Sequence, residues 1–158
     1  MTRSASVVTV SDRSARGERA DAAGPVAVEA LRAAGYDCAD ATVVPDGAAS
    51  VAEALRAALD AGSRLVITTG GTGIAPRDRT PEGTAEVIEL ELPGIAEELR
   101  RRGTDETPTA VLSRGRAGIA GDALIVNLPG SPRAVASGVA AVLEVAAHVL
   151  HQLDGHDH

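Results

Sequence analysis

The chain has 158 residues, 44% of them hydrophobic, which is one domain's worth of sequence and enough to bury a core. The formal net charge is −7, the one basic tract is Arg100-Arg101-Arg102, and there is one Tyr with no Phe or Trp, so neither phosphate-backbone binding nor base stacking is expected and nucleic acid is excluded as a partner. All fifteen basic residues are arginine, which removes Schiff-base chemistry and any phosphate-loop lysine.

No apolar run approaches about 18 residues, and the apolar part of the N-terminus is too short for a secretion signal. A soluble, cytoplasmic protein without a membrane partner is expected. Ser6 to Ser11 is a short β-branched run and predicts a strand. Val26, Ala30, Leu31 and Ala34 recur at helical spacing over about 22–34, and Gly35 ends that helix. Cys38 is the single cysteine, expected as a neutral loop thiol with no disulfide or metal cluster. Residues 41–45 predict a second strand, and 48–61 a helix with Val51, Leu55, Ala58 and Leu59 on one face. Residues 64–69 predict a third strand, apolar enough to be buried on both faces. A helix is expected from Pro81 to the Pro93-Gly94 break, and another over about 94–102. Two extended segments around Gly121-Asp122 read as a hairpin, and a long helix over 132–152 turns Val135, Val139, Val142, Ala146 and Val149 inward.

Strands alternating with helices predict the α/β class: a three-layer sandwich with a mostly parallel sheet, an antiparallel edge hairpin and helices on both faces. One domain over 1–152 and a flexible tail over 153–158 are expected.

Ligands of open parallel sheets bind beyond the carboxyl ends of the strands. Four stretches fall there: Ser11-Asp12-Arg13, Pro45-Asp46-Gly47, the 69–82 loop, and Asn127 to Pro132. In the 69–82 loop, Gly70, Gly71 and Gly73 permit positive φ and let backbone N–H groups converge on an anion. Thr80 suits the N-cap and Pro81 the first helical position, so a helix start would add its partial positive charge. Asp78 would repel a phosphate directly, but it fits a divalent cation held between carboxylate and phosphate. The plainer reading is a tight turn with an acid at a helix start. A second glycine-bearing junction, Pro129-Gly130-Ser131, weakens that reading by aiming another helix start at the same edge. Asp46 is either the N-cap of the 48–61 helix or a second acid for the metal. His148 and His151, one turn apart, are read as a solvated face.

Taken together and in this order, Ser11-Asp12-Arg13, Gly70-Gly71-Thr72-Gly73, Arg77-Asp78-x-Thr80-Pro81-Glu82, Leu112-Ser113-Arg114 and Asn127-Leu128-Pro129-Gly130 resemble the MogA/MoaB family of molybdenum cofactor biosynthesis, which includes the G domain of gephyrin. The resemblance covers about residues 5–150. It implies molybdopterin adenylyltransferase activity, with ATP and molybdopterin as substrates and Mg²⁺ as cofactor. It implies that Asp46 and Asp78 are catalytic and hold the metal. It implies nucleotide and phosphate loops at Thr69, Gly70, Gly71, Thr72, Gly73, Pro129, Gly130 and Ser131, and a pterin side at Ser11, Asp12, Arg13, Thr80, Glu82, Ser113 and Arg114. A homotrimer, or a hexamer as in some MoaB-type members, and a molybdenum insertase as partner also follow from the resemblance. Gly47 departs from the pattern, because many members carry a second acid there. A non-catalytic pterin carrier of the MoaB type and a trimeric scaffold are the competing classes.

Overall fold

The computed structural model describes residues 3–156. Among them, β1 (Ser4–Val10) leads through a one-turn helix, α1 (Asp12–Ala15), to α2 (Ala23–Ala33). Two short strands follow, β2 (Asp37–Cys38) and β3 (Thr42–Val44), then α3 (Ala48–Asp60), β4 (Leu65–Thr69) and α4 (Thr80–Ala85). The chain continues with β5 (Leu90–Glu91), α5 (Pro93–Glu106), a 3-10 turn (Pro108–Leu112), β6 (Ala117–Ala120), β7 (Ala123–Leu128) and α6 (Pro132–Leu153).

The strands form one seven-stranded sheet in the order β2-β1-β4-β7-β6-β5, with β3 also pairing β1. β1, β2, β3, β4 and β7 run parallel, while β6 is antiparallel to both of its neighbours. Side chains alternate along each strand, and the core divides accordingly. Ala5, Val7, Leu65, Ile67, Leu124 and Val126 face α2 and α6, where they meet Ala27, Leu31, Val135, Val139 and Leu150. Val8, Val10, Val66 and Ile125 face the other way, onto Val51, Leu55 and Ala58 of α3. The result is the expected three-layer sandwich. β4 is buried along its whole length, so each of its Leu, Val and Ile side chains contributes about 1.5–3 kcal/mol on leaving water.

Several local expectations change. The hairpin is real and turns at Gly121 with φ 59°. It is not the sheet edge: β7 sits between β4 and β6, and β5 lies outermost. The predicted helix from Pro81 stops at Ala85, because Glu89-Leu90-Glu91-Leu92 alternates at the strand period. α5 instead runs on to Glu106. Cys38 is a core residue of β2 rather than a loop thiol, and burial pushes its pKa up. In α2 the fully buried stripe is Ala23, Ala27, Val28 and Leu31, with Val26 and Ala30 at its margin and Ala34 exposed. In α6 Leu150, not Val149, takes the last fully buried position. By length and composition α6 would be able to cross a membrane, contrary to the expectation from apolar runs. Here its apolar stripe lies in the core. Of the expected tail, Leu153 ends α6 and packs on the core, and Asp154 pairs with Arg3 and Arg64. Residues 157–158 fall outside the described part.

Candidate functional site

The carboxyl ends of β1, β3, β4 and β7 open onto one edge, and the four stretches expected there meet. Ser11 N–H donates to Val44 O at 2.9 Å, joining the ends of β1 and β3. Gly70 N–H donates to Leu128 O at 3.0 Å, joining β4 to β7. A Cβ placed on Gly130 would lie 3.3 Å from Gly70 Cα, so the two glycine loops touch.

Gly70 and Gly71 take φ 90° and 68°, which side chains rarely adopt. Gly73 does not; it matters because a Cβ there would press on Asp78 Oδ2 at 2.8 Å. A Cβ on Gly71 would collide with Thr80 Oγ1 and come within 3.2 Å of Asp46 Oδ1. The glycines therefore leave space that two carboxylates occupy. No described hydrogen bond uses the N–H of Gly71, Thr72, Gly73, Gly130 or Ser131, whereas that of Gly70 is taken by Leu128.

On one side of this loop lies an acidic corner. The Asp12 and Asp46 carboxylates each accept the other's backbone N–H at 3.0 Å. Arg77 grips Asp12 with two bonds of 3.0 Å and donates to Asp46 O. That grip holds the Asp12 carboxyl below its ordinary range. Asp46 shifts upward, first through burial and then through the charges of Asp12 and Asp78. Asp46 is not the N-cap of α3; Gly47 holds that position at φ 129°. Asp78 Oδ2 accepts from Ala75 N–H at 3.1 Å. No hydrogen bond is described to Asp46 Oδ1 or Asp78 Oδ1.

On the other side is a cleft of about 440 Å³ between α5, the 3-10 turn and the start of α6. Thr72, Ser113, Pro129 and Ser131 reach it, as do Asn127 and Arg100. Ser113 Oγ accepts from Gly115 N–H at 3.3 Å, and Ser131 caps α6 through Ala134 N–H at 3.1 Å.

Several of the expected ligand residues hold the loop instead of opening onto the cleft. Thr80 is buried and is the first residue of α4 rather than its cap; its hydroxyl donates to Gly70 O at 2.9 Å. Arg79 occupies the cap position and makes no side-chain capping bond. Thr69 is buried with its hydroxyl on Thr9 Oγ1. Glu82 takes the Arg114 guanidinium, which lowers the carboxyl's pKa, and Arg114 also donates to Gly73 O and Asp78 O. Ser11 caps α1, and Arg13 is exposed on it. Two residues without an expected role carry much of the geometry. Asn127 bonds Thr68 of β4, Thr84 of α4 and the N–H of Arg116, just before β6. Arg100 donates to Ser113 O and Gly115 O. Its signal was the helical stripe Ala96, Leu99, Arg100 and Gly103, which all line the cleft.

Residues 6–148 match the family model described as a probable molybdopterin binding domain. The molybdenum cofactor biosynthesis bifunctional protein of Synechococcus elongatus is 42% identical over 98% of this chain and 48% of its own length. The molybdopterin adenylyltransferase of Haemophilus influenzae is 37% identical over 91% of this chain and 75% of its own. The molybdopterin biosynthesis Mog protein from Mycobacterium ulcerans superposes with a TM-score of 0.91 at 45% identity, covering 96% of this chain and 99% of that one. The chain thus spans about half the length of the first curated relatives it matches.

Proposed function

The chain belongs to the molybdopterin-binding family of molybdenum cofactor biosynthesis, and from that premise we propose that it is a molybdopterin adenylyltransferase, converting ATP and molybdopterin to adenylyl-molybdopterin and pyrophosphate. One observation carries the reading: Asp46 and Asp78 place carboxylates against Gly71 and Gly73, in a loop where no described hydrogen bond uses the amides of Gly71, Thr72 and Gly73. Acids and an anion site so close together need a cation between them.

The donor set fits Mg²⁺. Among the described residues no group of three or more His, Cys, Asp or Glu forms a protein cage. Mg²⁺ prefers the opposite arrangement, one or two carboxylates completed by water and substrate phosphates. Asp46, raised by burial and by its acidic neighbours, is the kind of group a cation relieves. Asp46 and Asp78 would hold the ion. When bound, it would draw charge from the departing pyrophosphate.

The chain's own residues align the reactants. The nucleophile is an oxygen of the pterin's phosphate; it bonds to the α-phosphorus of ATP as the α–β bridge breaks, and the electron pair leaves on pyrophosphate. A phosphate monoester has its second pKa near 6, so it arrives largely ionised and needs no general base. The free amides of Gly71, Thr72 and Gly73 would hold phosphate oxygens in line. Arg77 and Asp12 fix Asp46, while Arg114 fixes the segment carrying Asp78. A homotrimer and hand-over to a molybdenum insertase complete the proposal. The subunit contact is supported by the apolar groove at Leu92, Ile95, Val145 and Val149, and sedimentation tests it.

The direct test mixes the protein with molybdopterin, ATP and Mg²⁺ and follows adenylylated pterin and pyrophosphate. Product from the wild type and none from Asp78→Asn is the expected result. Tight pterin binding without product would move the chain to the carrier class, with Gly47 as the first position to examine.

A further inference from the structure

Arginine carries all of the chain's Lys and Arg charge. Nine arginines pair with a carboxylate: 3, 16, 32, 64, 77, 101, 102, 114 and 116. Of the other six, positions 13, 19, 56, 79 and 133 are exposed. Arg100 alone among the described residues is half-buried with no acid beside it.

Its setting is specific. Arg100 points from α5 into the 440 Å³ cleft, where Nη1 donates to Ser113 O at 3.3 Å and Gly115 O at 3.0 Å. Two carbonyl dipoles orient a guanidinium without neutralising it. A guanidinium has five donors, and no described bond uses Nε or Nη2. Arg114 N–H bonds Thr72 O at 2.8 Å, so the 113–115 segment abuts the glycine loop. An anion on Arg100 is therefore beside that loop. The nearby hydroxyls of Thr72, Ser113 and Ser131 are uncharged. Arg102, also in the cleft wall, is already held by Glu98 and Glu144. Glu106 lies six residues further along α5, about 9 Å along the axis, and its carboxylate accepts from Ser137.

We propose that Arg100 binds the phosphate monoester of the pterin substrate and so positions the attacking oxygen beside the glycine loop. The proposal rests on the adenylyltransferase reading but concerns one side chain. The other arginines near this edge are less suited: Arg77 and Arg114 are engaged by Asp12 and Glu82, and Arg13 and Arg133 are exposed.

The test is equilibrium binding, under anaerobic conditions and without ATP, of molybdopterin and of the same pterin dephosphorylated. Wild type, Arg100→Met and Arg100→Lys are compared, with thermal melting as the folding check. Wild type should prefer the phosphorylated form. Arg100→Met should lose about 10- to 100-fold in affinity for it, the worth of a charge-assisted hydrogen bond, and keep its affinity for the dephosphorylated form. Arg100→Lys should recover most of the preference. Equal losses for both forms would reduce Arg100 to a staple of the 113–115 segment and overturn the proposal. Unchanged binding in Arg100→Met would overturn it as well. A wild type that binds neither form would overturn the adenylyltransferase reading itself, and this proposal with it.

Discussion

The two sides of the glycine loop are built on opposite principles. In the acidic corner, Asp12, Asp46 and Arg77 are bonded to one another before any ligand arrives, and the negative charge exceeds the positive. In the cleft wall, the Ser113 and Ser131 hydroxyls are spent on local backbone and a half-buried arginine has no acid. The corner is prepared for a cation and the wall for an anion. The loop between them supplies free amides to whatever spans both. A single ligand set with a metal ion at one end and a phosphate monoester at the other fits this division.

The sharpest way to break the comparison is to neutralise the corner alone. Asp46→Asn and Asp78→Asn should each lower turnover by on the order of 10²–10³-fold, the scale of losing one electrostatic group at a transition state. Pterin affinity should stay within about 2-fold, because neither Asp46 nor Asp78 lines the cleft. If pterin binding falls with turnover in a filter-binding assay, the two sides are one site and the division fails. Next in size is Arg114→Met. Arg114 holds Gly73 O, Asp78 O and Glu82, so its loss should loosen both sides together. An increase of about 10-fold in KM for both substrates is expected, equal to about 1.4 kcal/mol in each complex. An increase confined to one substrate would show the loop to be rigid without this clamp. Ser113→Ala is smaller. It should raise KM for the pterin a few-fold, about one neutral hydrogen bond, and leave that for ATP unchanged.

Much of the fold is legible in the sequence, because hydrophobic alternation and helical stripes are local signals. β4 and α3 follow directly from Leu65 to Thr69 and from Val51, Leu55 and Ala58. What was not legible depends on pairing across the sheet. β5 is two residues long and is a strand only because β6 lies beside it. The candidate site divides in the same way. Glycines and acids at strand ends mark the right edge, but which side chain faces a ligand depends on who else claims it. Thr80 and Glu82 look like ligand residues in one dimension, yet their polar atoms belong to Gly70 and Arg114. Arg100 looks like part of a solvated tract, yet the turn of α5 sends it into the cleft.

Protonation separates Asp12 from Asp46 although they exchange hydrogen bonds. Asp12, lowered by Arg77, stabilises the fold above its unfolded pKa, and that contribution is lost as pH falls through the lower folded value. Asp46, raised chiefly by burial, works in the other direction: the folded protein holds this proton more tightly than the unfolded chain, so ionising Asp46 costs stability as pH rises through its raised pKa. A cation on Asp46 removes that cost and must compete with the proton to do so. The thermal shift produced by Mg²⁺ with ATP should therefore be largest at neutral pH and shrink as pH falls, and KM for Mg²⁺ should rise in step. Arg77→Met removes a positive charge that lowers the Asp46 pKa. The acid limb of the Mg²⁺ dependence should move to higher pH in that variant and disappear in Asp46→Asn. A limb that stays in place in both would mean that another group, and not Asp46, carries the ion.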